Sequence, residues 1–314
     1  MSVRVRTARL RALLLTLVTF FVVAATATGC AGGDERPRVV VTTNILGDIT
    51  REIVGDEADV SVLMKPGADP HSFGLSAVQA AELENADLIV HNGLGLEENV
   101  LRHVAAARAS GVATFAAAEA ADPLTFHAGP DGAKEPDPHF WTDPDRVRTA
   151  AGLIADQVVE HVEGVHEKAV RDNARRYDGQ LADLTTWMEK TFAAIPEDRR
   201  ALVTNHHVFG YLADRFGFRV IGAVIPSGTT LASPSSSDLR SLTRAMERAG
   251  VRTVFADSSR PTRLAEVLRQ EMGGDVDVVP LYTESLTGKG EGAATYLDMM
   301  RANTTAMADG LVGD

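Results

Sequence analysis

The stretch RVVVTTNILGDITREIVGDEADVSVLM (residues 38–64) places two β-branched runs, RVVVTT (38–43) and DVSVLM (59–64), around a segment with helical spacing. β-Branched side chains pack well on a pleated surface, and apolar residues three and four apart mark one helix face. The order is therefore strand, helix, strand. Moving outward, DLIVH (87–91) and VATF (112–115) continue the alternation, and ALVT (201–204), FRVIG (218–222), VRTVF (251–255) and VDVVP (276–280) repeat it in the second half. This pattern predicts an α/β protein of two Rossmann-like lobes, each a mostly parallel four-stranded sheet covered by helices. No short sequence repeat accompanies it.

Between the halves, no proline occurs from Asp145 to Ile195. Val170, Ala174, Tyr177, Leu181, Leu184, Met188 and Phe192 step by three or four, which predicts one long helix. The expected organisation is an N-terminal lobe at 38–165, a rigid linking helix at 166–194 and a C-terminal lobe at 195–314. A helix packed on one lobe only is the plainer alternative. Either way, a chain of 314 residues exceeds the reach of a single core. Open α/β sheets bind ligands beyond the carboxyl ends of their strands, which points to a site in the cleft between lobes.

The amino terminus has a different character. Arg4, Arg6, Arg9 and Arg11 precede the apolar run LLLTLVTFFVVAA (13–25) and the small residues of TATGC (26–30). This is the pattern of a secretory signal over residues 1–29. Cys30 is the chain's only cysteine and stands where a bacterial lipoprotein is cut and lipidated, with 30–37 as a tether. The chain is thus expected to be exported and held by an N-terminal lipid on the outer face of the cytoplasmic membrane or in the periplasm. One cysteine forms no internal disulfide, so apolar cores must stabilise the fold. Removing the four leader arginines from a chain of formal net charge −12 leaves −16. Such a surface disfavours nucleic acid as a partner and suits the attraction of cations.

The tripeptide Asp-Pro-His occurs twice, in KPGADPHSFGLS ending at His71 and in EPDPHFWTDP ending at His139. Proline fixes its own φ and keeps the preceding residue out of the helical region, so each histidine has a stiff approach. Of the nine histidines, His103, His161 and His166 belong to solvated helix faces or ends. His91 closes a strand as a core histidine or one that supports a ligand. His127, in the loop TFHAGPDGAKEPDP, is a candidate for transient metal contact only. His71 precedes a Ser76/Gln79 capping box, His139 precedes an Asp143 N-cap with Pro144 behind it, and His206 follows the strand ALVT. Glu284, in VVPLYTESL, follows the last strand. Three imidazoles and a carboxylate at equivalent strand exits, two per lobe, suit a first-row divalent cation, above all tetrahedral Zn²⁺.

The motifs VVVTTNILGDITREIVGD, LMKPGADPHSF, DPHFWTDP, TNHHVFGYLADRFGF and VVPLYTESL together resemble the zinc/manganese solute-binding lipoproteins of bacterial ABC uptake systems, the cluster A-I or family nine group. The resemblance covers about 38–311. It implies metal ligands at His71, His139, His206 and Glu284, with His207 where relatives usually carry an aspartate. The last ligand is usually aspartate, so Glu284 departs from the pattern by one methylene, and Asp257, in VFADSS at another strand exit, is the reserve carboxylate. The resemblance also implies small movements on metal binding and a monomer serving a cognate ABC permease, with a metallochaperone as a further partner. A large histidine-rich loop before the second ligand, common in zinc-specific members, is missing.

Three imidazoles favour zinc over manganese, which prefers more oxygen ligands, so Zn²⁺ is the expected cargo and Mn²⁺ or Fe²⁺ the runner-up. An exported zinc hydrolase is a reading of another class. Its usual signatures, H-E-x-x-H or G-x-S-x-G, do not occur, and the serine-rich SGTTLASPSSSDL (227–239) reads as a loop leading to a helix cap at Ser235–Ser237. A surface adhesin on the same fold is the third reading.

Overall fold

A computed structural model describes residues 36–128, 133–258, 263–274 and 276–312. The signal sequence and Cys30 lie outside the described residues. The first half runs β1 (Arg38–Val41), α1 (Asn44–Val54), β2 (Asp59–Val62), α2 (Ala77–Glu84), β3 (Leu88–His91), α3 (Leu101–Ala109), β4 (Ala113–Ala116) and α4 (Ala117–Ala120). Its sheet has the order β2-β1-β3-β4, all neighbours parallel. Val39 and Val41 face one core and Val40 the other, all 0% exposed. A central parallel strand covered on both faces needs this unbroken apolar run rather than an alternating one. Helix α1 begins where the Thr43 hydroxyl accepts the Leu46 N–H. The Ser76/Gln79 capping box opens α2.

Next come β5 (Thr125–Ala128) and β6 (Ala133–Pro136), α5 (Pro144–His161) and α6 (Glu167–Ala193). β5 and β6 form an antiparallel hairpin, with His127 paired to Lys134. This corrects the expectation of a plain loop at TFHAGPDGAKEPDP. The hairpin's support is tertiary and left no β-branched signature: Phe126 lies against Gly228, where a Cβ would meet the ring at 2.4 Å, and its ring centroid is 5.5 Å from that of His207. Helix α5 starts as expected, with the Asp143 carboxylate accepting the Asp145 N–H and Pro144 in the first turn.

The second half runs β7 (Ala201–Thr204), α7 (Gly210–Phe216), β8 (Arg219–Ala223), α8 (Ser236–Ala249), β9 (Thr253–Asp257), α9 (Arg263–Glu271), β10 (Asp277–Leu281) and α10 (Tyr296–Val312). Its parallel sheet has the order β10-β9-β7-β8. Ser235 and Asp238 form the capping box of α8.

The 27 residues of α6 extend roughly 40 Å at 1.5 Å each. The helix buries Val170, Tyr177, Leu181, Leu184, Thr185, Met188 and Phe192. These residues share one core with Val39 and Val41 of the first sheet and Leu202, Phe255 and Leu281 of the second. The opposite face of each sheet has a core of its own, around Val40, Ile89 and Val104 in the first and Val203, Val254 and Met246 in the second. The long helix packs against α1 and α5 of the first half and α10 of the second, so the two halves are joined through one continuous core. Among the described residues, no helix is long and apolar enough to cross a membrane.

Candidate metal centre

The four candidate ligands all stand beyond strand carboxyl ends. His71 follows β2, His139 follows the β5–β6 hairpin, His206 comes two residues after β7, and Glu284 three after β10. The repeated Asp-Pro-His has a shared local geometry. The His71 N–H donates to Asp69 Oδ1 at 2.9 Å, and the His139 N–H donates to Asp137 Oδ1 at 3.0 Å. In each copy the aspartate closes a turn through its side chain while proline fixes the residue between. The histidine is thereby set at the end of a rigid step.

At the third position, Thr204 Oγ1 donates to the His206 carbonyl at 2.7 Å, and the His207 N–H donates to the Ser227 carbonyl at 3.0 Å. Neighbouring side chains then part. His206 turns into the cleft, and His207 packs on Phe126, where burial and the neighbouring His206 lower its proton affinity.

The side chains of His71, His139, His206 and Glu284 converge, their ligand atoms all within 4.8 Å of one another. Glu284 Oε1 lies 2.9 Å from His71 Nε2, 3.2 Å from His206 Nε2 and 3.4 Å from His139 Nε2. Ligands about 2.0–2.1 Å from a tetrahedral zinc are about 3.3 Å apart, so these three edges fit such a polyhedron. The imidazole centroids are 5.2–5.6 Å apart. All four residues are at most 1% exposed, so the site is closed to solvent. His139 Nε2 and Glu284 Oε2 are buried without a protein hydrogen-bond partner. A buried polar atom so placed costs about 1–3 kcal/mol, and a divalent cation between the two would serve both.

Burial disfavours the Glu284 carboxylate, but the charges of His206 and His71 and the close approach of the His139 and His206 rings hold it well below the usual carboxylate range. Burial also opposes protonation of His139. Asp137, by hydrogen bond and charge, and then Glu284 outweigh burial and lift His139 to about 9.

This yields a pH dependence. With its folded-state value raised, His139 is protonated below about pH 9 in the metal-free protein, and metal binding must displace that proton. Apparent metal affinity should therefore fall by about tenfold per pH unit on acidification from pH 9 through neutrality. The linked stability has the opposite sign: this group stabilises the metal-free fold fully below about pH 6.5, and the contribution disappears as pH rises through about 9. Chelator competition at pH 7, 8 and 9 measures the first slope, and a flat profile contradicts it.

Asp257, the reserve carboxylate, is buried but lies outside the cluster. It accepts a hydrogen bond from the hydroxyl of Thr283, the residue before Glu284. Trp141 Nε1 donates to the Thr283 carbonyl at 2.9 Å, and the Trp141 ring stands edge-on to His139 at 5.3 Å. Beyond Glu284, Asn44 donates to Ser285 Oγ at 2.8 Å and accepts the Leu286 N–H at 2.9 Å. The tethers from Trp141 and Asn44 were not foreseen from sequence. The aspartates two residues before His71 and His139 did leave a signal, the repeated tripeptide itself.

The remaining histidines stay outside the cluster wherever their side chains are described; that of His127 is not. His91 ends β3, where burial and then Arg108 push it down to about 4. His103 lies in α3, His161 ends α5, and His166 precedes α6 with its Nδ1 2.8 Å from Glu57.

The family described as "ZnuA: Zinc-uptake complex component A periplasmic" matches residues 39–310. The manganese-binding lipoprotein MntA of Bacillus subtilis is 30% identical over 304 residues, covering 94% of this chain and 97% of its own. The zinc-binding protein TroA of Treponema pallidum is 27% identical over 277 residues, covering 87% and 88%. The structure of periplasmic TroA superposes with a TM-score of 0.80 at 26% identity, covering 88% of this chain and 99% of that one. A manganese-bound periplasmic metal-binding protein from Candidatus Liberibacter asiaticus superposes with a TM-score of 0.77 at 26% identity, with the same coverage.

Proposed function

Since the chain belongs to the ZnuA family of periplasmic metal-uptake components, we propose that its cargo is Zn²⁺, held by His71, His139, His206 and Glu284 and passed to a cognate ABC permease. The protein is a substrate-binding component of metal ABC transport that binds a divalent metal, and it is not an enzyme. Zinc within that class is our reading. The observation that carries it is the convergence of three imidazole Nε2 atoms on one carboxylate oxygen inside a closed site. A nitrogen-rich set of four favours zinc over manganese in the general affinity order. We also assign the two lobes to 38–165 and 195–314, and place the protein outside the cytoplasmic membrane through lipid on Cys30. Relatives of this length are named lipoproteins, which supports that placement.

One observation favours manganese as the second reading. Glu284 Oε2 has no protein partner, so the carboxylate can bind through both oxygens and supply the five donors that manganese accepts more readily than zinc. Elemental analysis of protein purified without added metal, followed by zinc and manganese competition against a chelator, separates the two. The expected result is tighter zinc binding, with zinc at 100 times its Kd adding about 2.7 kcal/mol and raising Tm by roughly 4–5 °C. Manganese outcompeting zinc would reverse the assignment, and a metal-free protein without secondary structure would make the ion a folding component instead.

A further inference from the structure

The three imidazoles of the site are not held alike. The Nδ1 atoms of His71 and His206 are buried without a hydrogen-bond partner, whereas His139 Nδ1 lies 2.7 Å from Asp137 Oδ1. Both Asp-Pro-His aspartates bond the backbone N–H of their histidine, but among the hydrogen bonds of the described residues only that of Asp137 reaches the ring. An imidazole held by a carboxylate at one nitrogen gives up its other proton to a metal and binds through that nitrogen, so the partner decides which nitrogen becomes the ligand and fixes the ring plane.

Asp137 is itself firmly seated. Its N–H donates to the Leu124 carbonyl at 2.8 Å, and its carbonyl accepts from Tyr211 Oη at 2.7 Å, which in turn accepts the Leu124 N–H at 3.1 Å. The next carbonyl, of Pro138, accepts from Asn92 Nδ2 at 3.0 Å. The carboxylate also meets the second half of the chain. A Cβ at Gly210 would sit 2.5 Å from Asp137 Oδ2, so only glycine lets α7 approach this closely. Gly210 and Tyr211 begin the helix four and five residues beyond His206.

We infer that Asp137 is the positioning residue of this site, aiming His139 Nε2 at the cation before the metal arrives and coupling that aim to the segment that carries His206. The inference rests on the reading of the four residues as metal ligands. His139 is then the pre-aimed ligand. His71 and His206 complete the site with rings that no protein group orients through Nδ1.

The test uses the mature chain with zinc, and three readouts: affinity by chelator competition, melting of the metal-free protein, and the imidazole proton–nitrogen correlations of the zinc-loaded form. Asp137→Ala should weaken zinc binding by about 10–100-fold and remove the exchange-protected Nδ1–H signal of His139. Asp137→Asn keeps an oxygen acceptor, so it should restore the signal and part of the affinity. Gly210→Ala should shift the same signal and weaken binding with the carboxylate still present, and it decides the matter if Asp137→Ala does not fold. Asp69→Ala, which removes the turn before His71 and the hydrogen bond from Thr230 but no contact with the His139 ring, should leave the His139 signal in place.

Zinc affinity within about twofold of the parent in both Asp137→Ala and Gly210→Ala would overturn the inference. So would a His139 Nδ1–H signal that persists in Asp137→Ala. A parent protein that binds no zinc, or a His139→Ala variant that binds it as the parent does, would instead defeat the ligand assignment.

Discussion

His206→Ala lowers zinc affinity by more than about 100-fold, while His207→Ala leaves it within about threefold, because loss of a direct ligand exceeds the 10–100-fold typical of a supporting residue. The two are adjacent in sequence and alike in chemistry, so the contrast isolates geometry. His206 Nε2 stands 3.2 Å from Glu284 Oε1 in a fully buried cluster. His207 packs on Phe126 at 5.5 Å, and its backbone N–H, which alanine retains, holds the Ser227 carbonyl. Removing His206 also takes away part of the environment that keeps Glu284 ionised, so the remaining site is left with a less favourable carboxylate. Chelator competition on both variants measures the difference. Equal losses would mean that the two side chains share the metal, and a larger loss for His207→Ala would exchange their roles.

The second large effect falls on Glu284. Glu284→Ala should cost more than about 100-fold in zinc affinity and Glu284→Asp at least about tenfold, although aspartate is the residue more usual in relatives. Shortening the side chain withdraws the carboxylate by about 1.5 Å, the length of one C–C bond. Oxygen-to-nitrogen edges of 2.9–3.4 Å cannot absorb that without backbone movement. The backbone is pinned on both sides, by Trp141 and Asp257 through Thr283 and by Asn44 through Ser285 and Leu286. Asp257→Ala loosens one of these tethers and should cost less, about 3–10-fold. A loss from Asp257→Ala exceeding that of Glu284→Ala would transfer the fourth ligand to Asp257.

The closed state of the site bears on delivery. Ligands at most 1% exposed neither receive nor release an ion without some opening. The long helix shares one core with both sheets, so a wide separation of the lobes would expose Leu181, Leu184 and Met188. Full burial of such a side chain contributes about 1.5–3 kcal/mol, which favours local opening at the loops over domain separation. Thr230, which donates to Asp69 Oδ2 at 2.7 Å, and the β5–β6 hairpin on Gly228 are contacts between the two halves that such an opening would have to break.

Much of this protein was legible before its structure. Unbroken β-branched runs specify buried parallel strands because such strands are covered on both faces, and all eight sheet strands lie within two residues of their expected positions. Caps at Ser76, Asp143 and Ser235 were readable because a helix start is satisfied by side chains a few residues away. The candidate ligands could be placed at strand exits because each lies on the loop that follows a strand or hairpin. Tertiary structure decided the rest. Whether Glu284 or Asp257 enters the cluster depends on how loops after two neighbouring strands are tied to Trp141 and Asn44, whose hydrogen bonds span 142 and 241 positions of sequence. The hairpin at 125–136 is held by a glycine and a histidine of the other half. The two Asp-Pro-His copies read identically, yet only Asp137 reaches its imidazole. Sequence alone determined the elements and the donor types, because strand periodicity, helix caps and side-chain chemistry act over a few residues. Which donors meet only the assembled fold decided, because those contacts join segments far apart in sequence; which imidazole is aimed it decided too, because Asp137, although two residues from His139, is seated by Leu124 and Tyr211, 13 and 74 positions away.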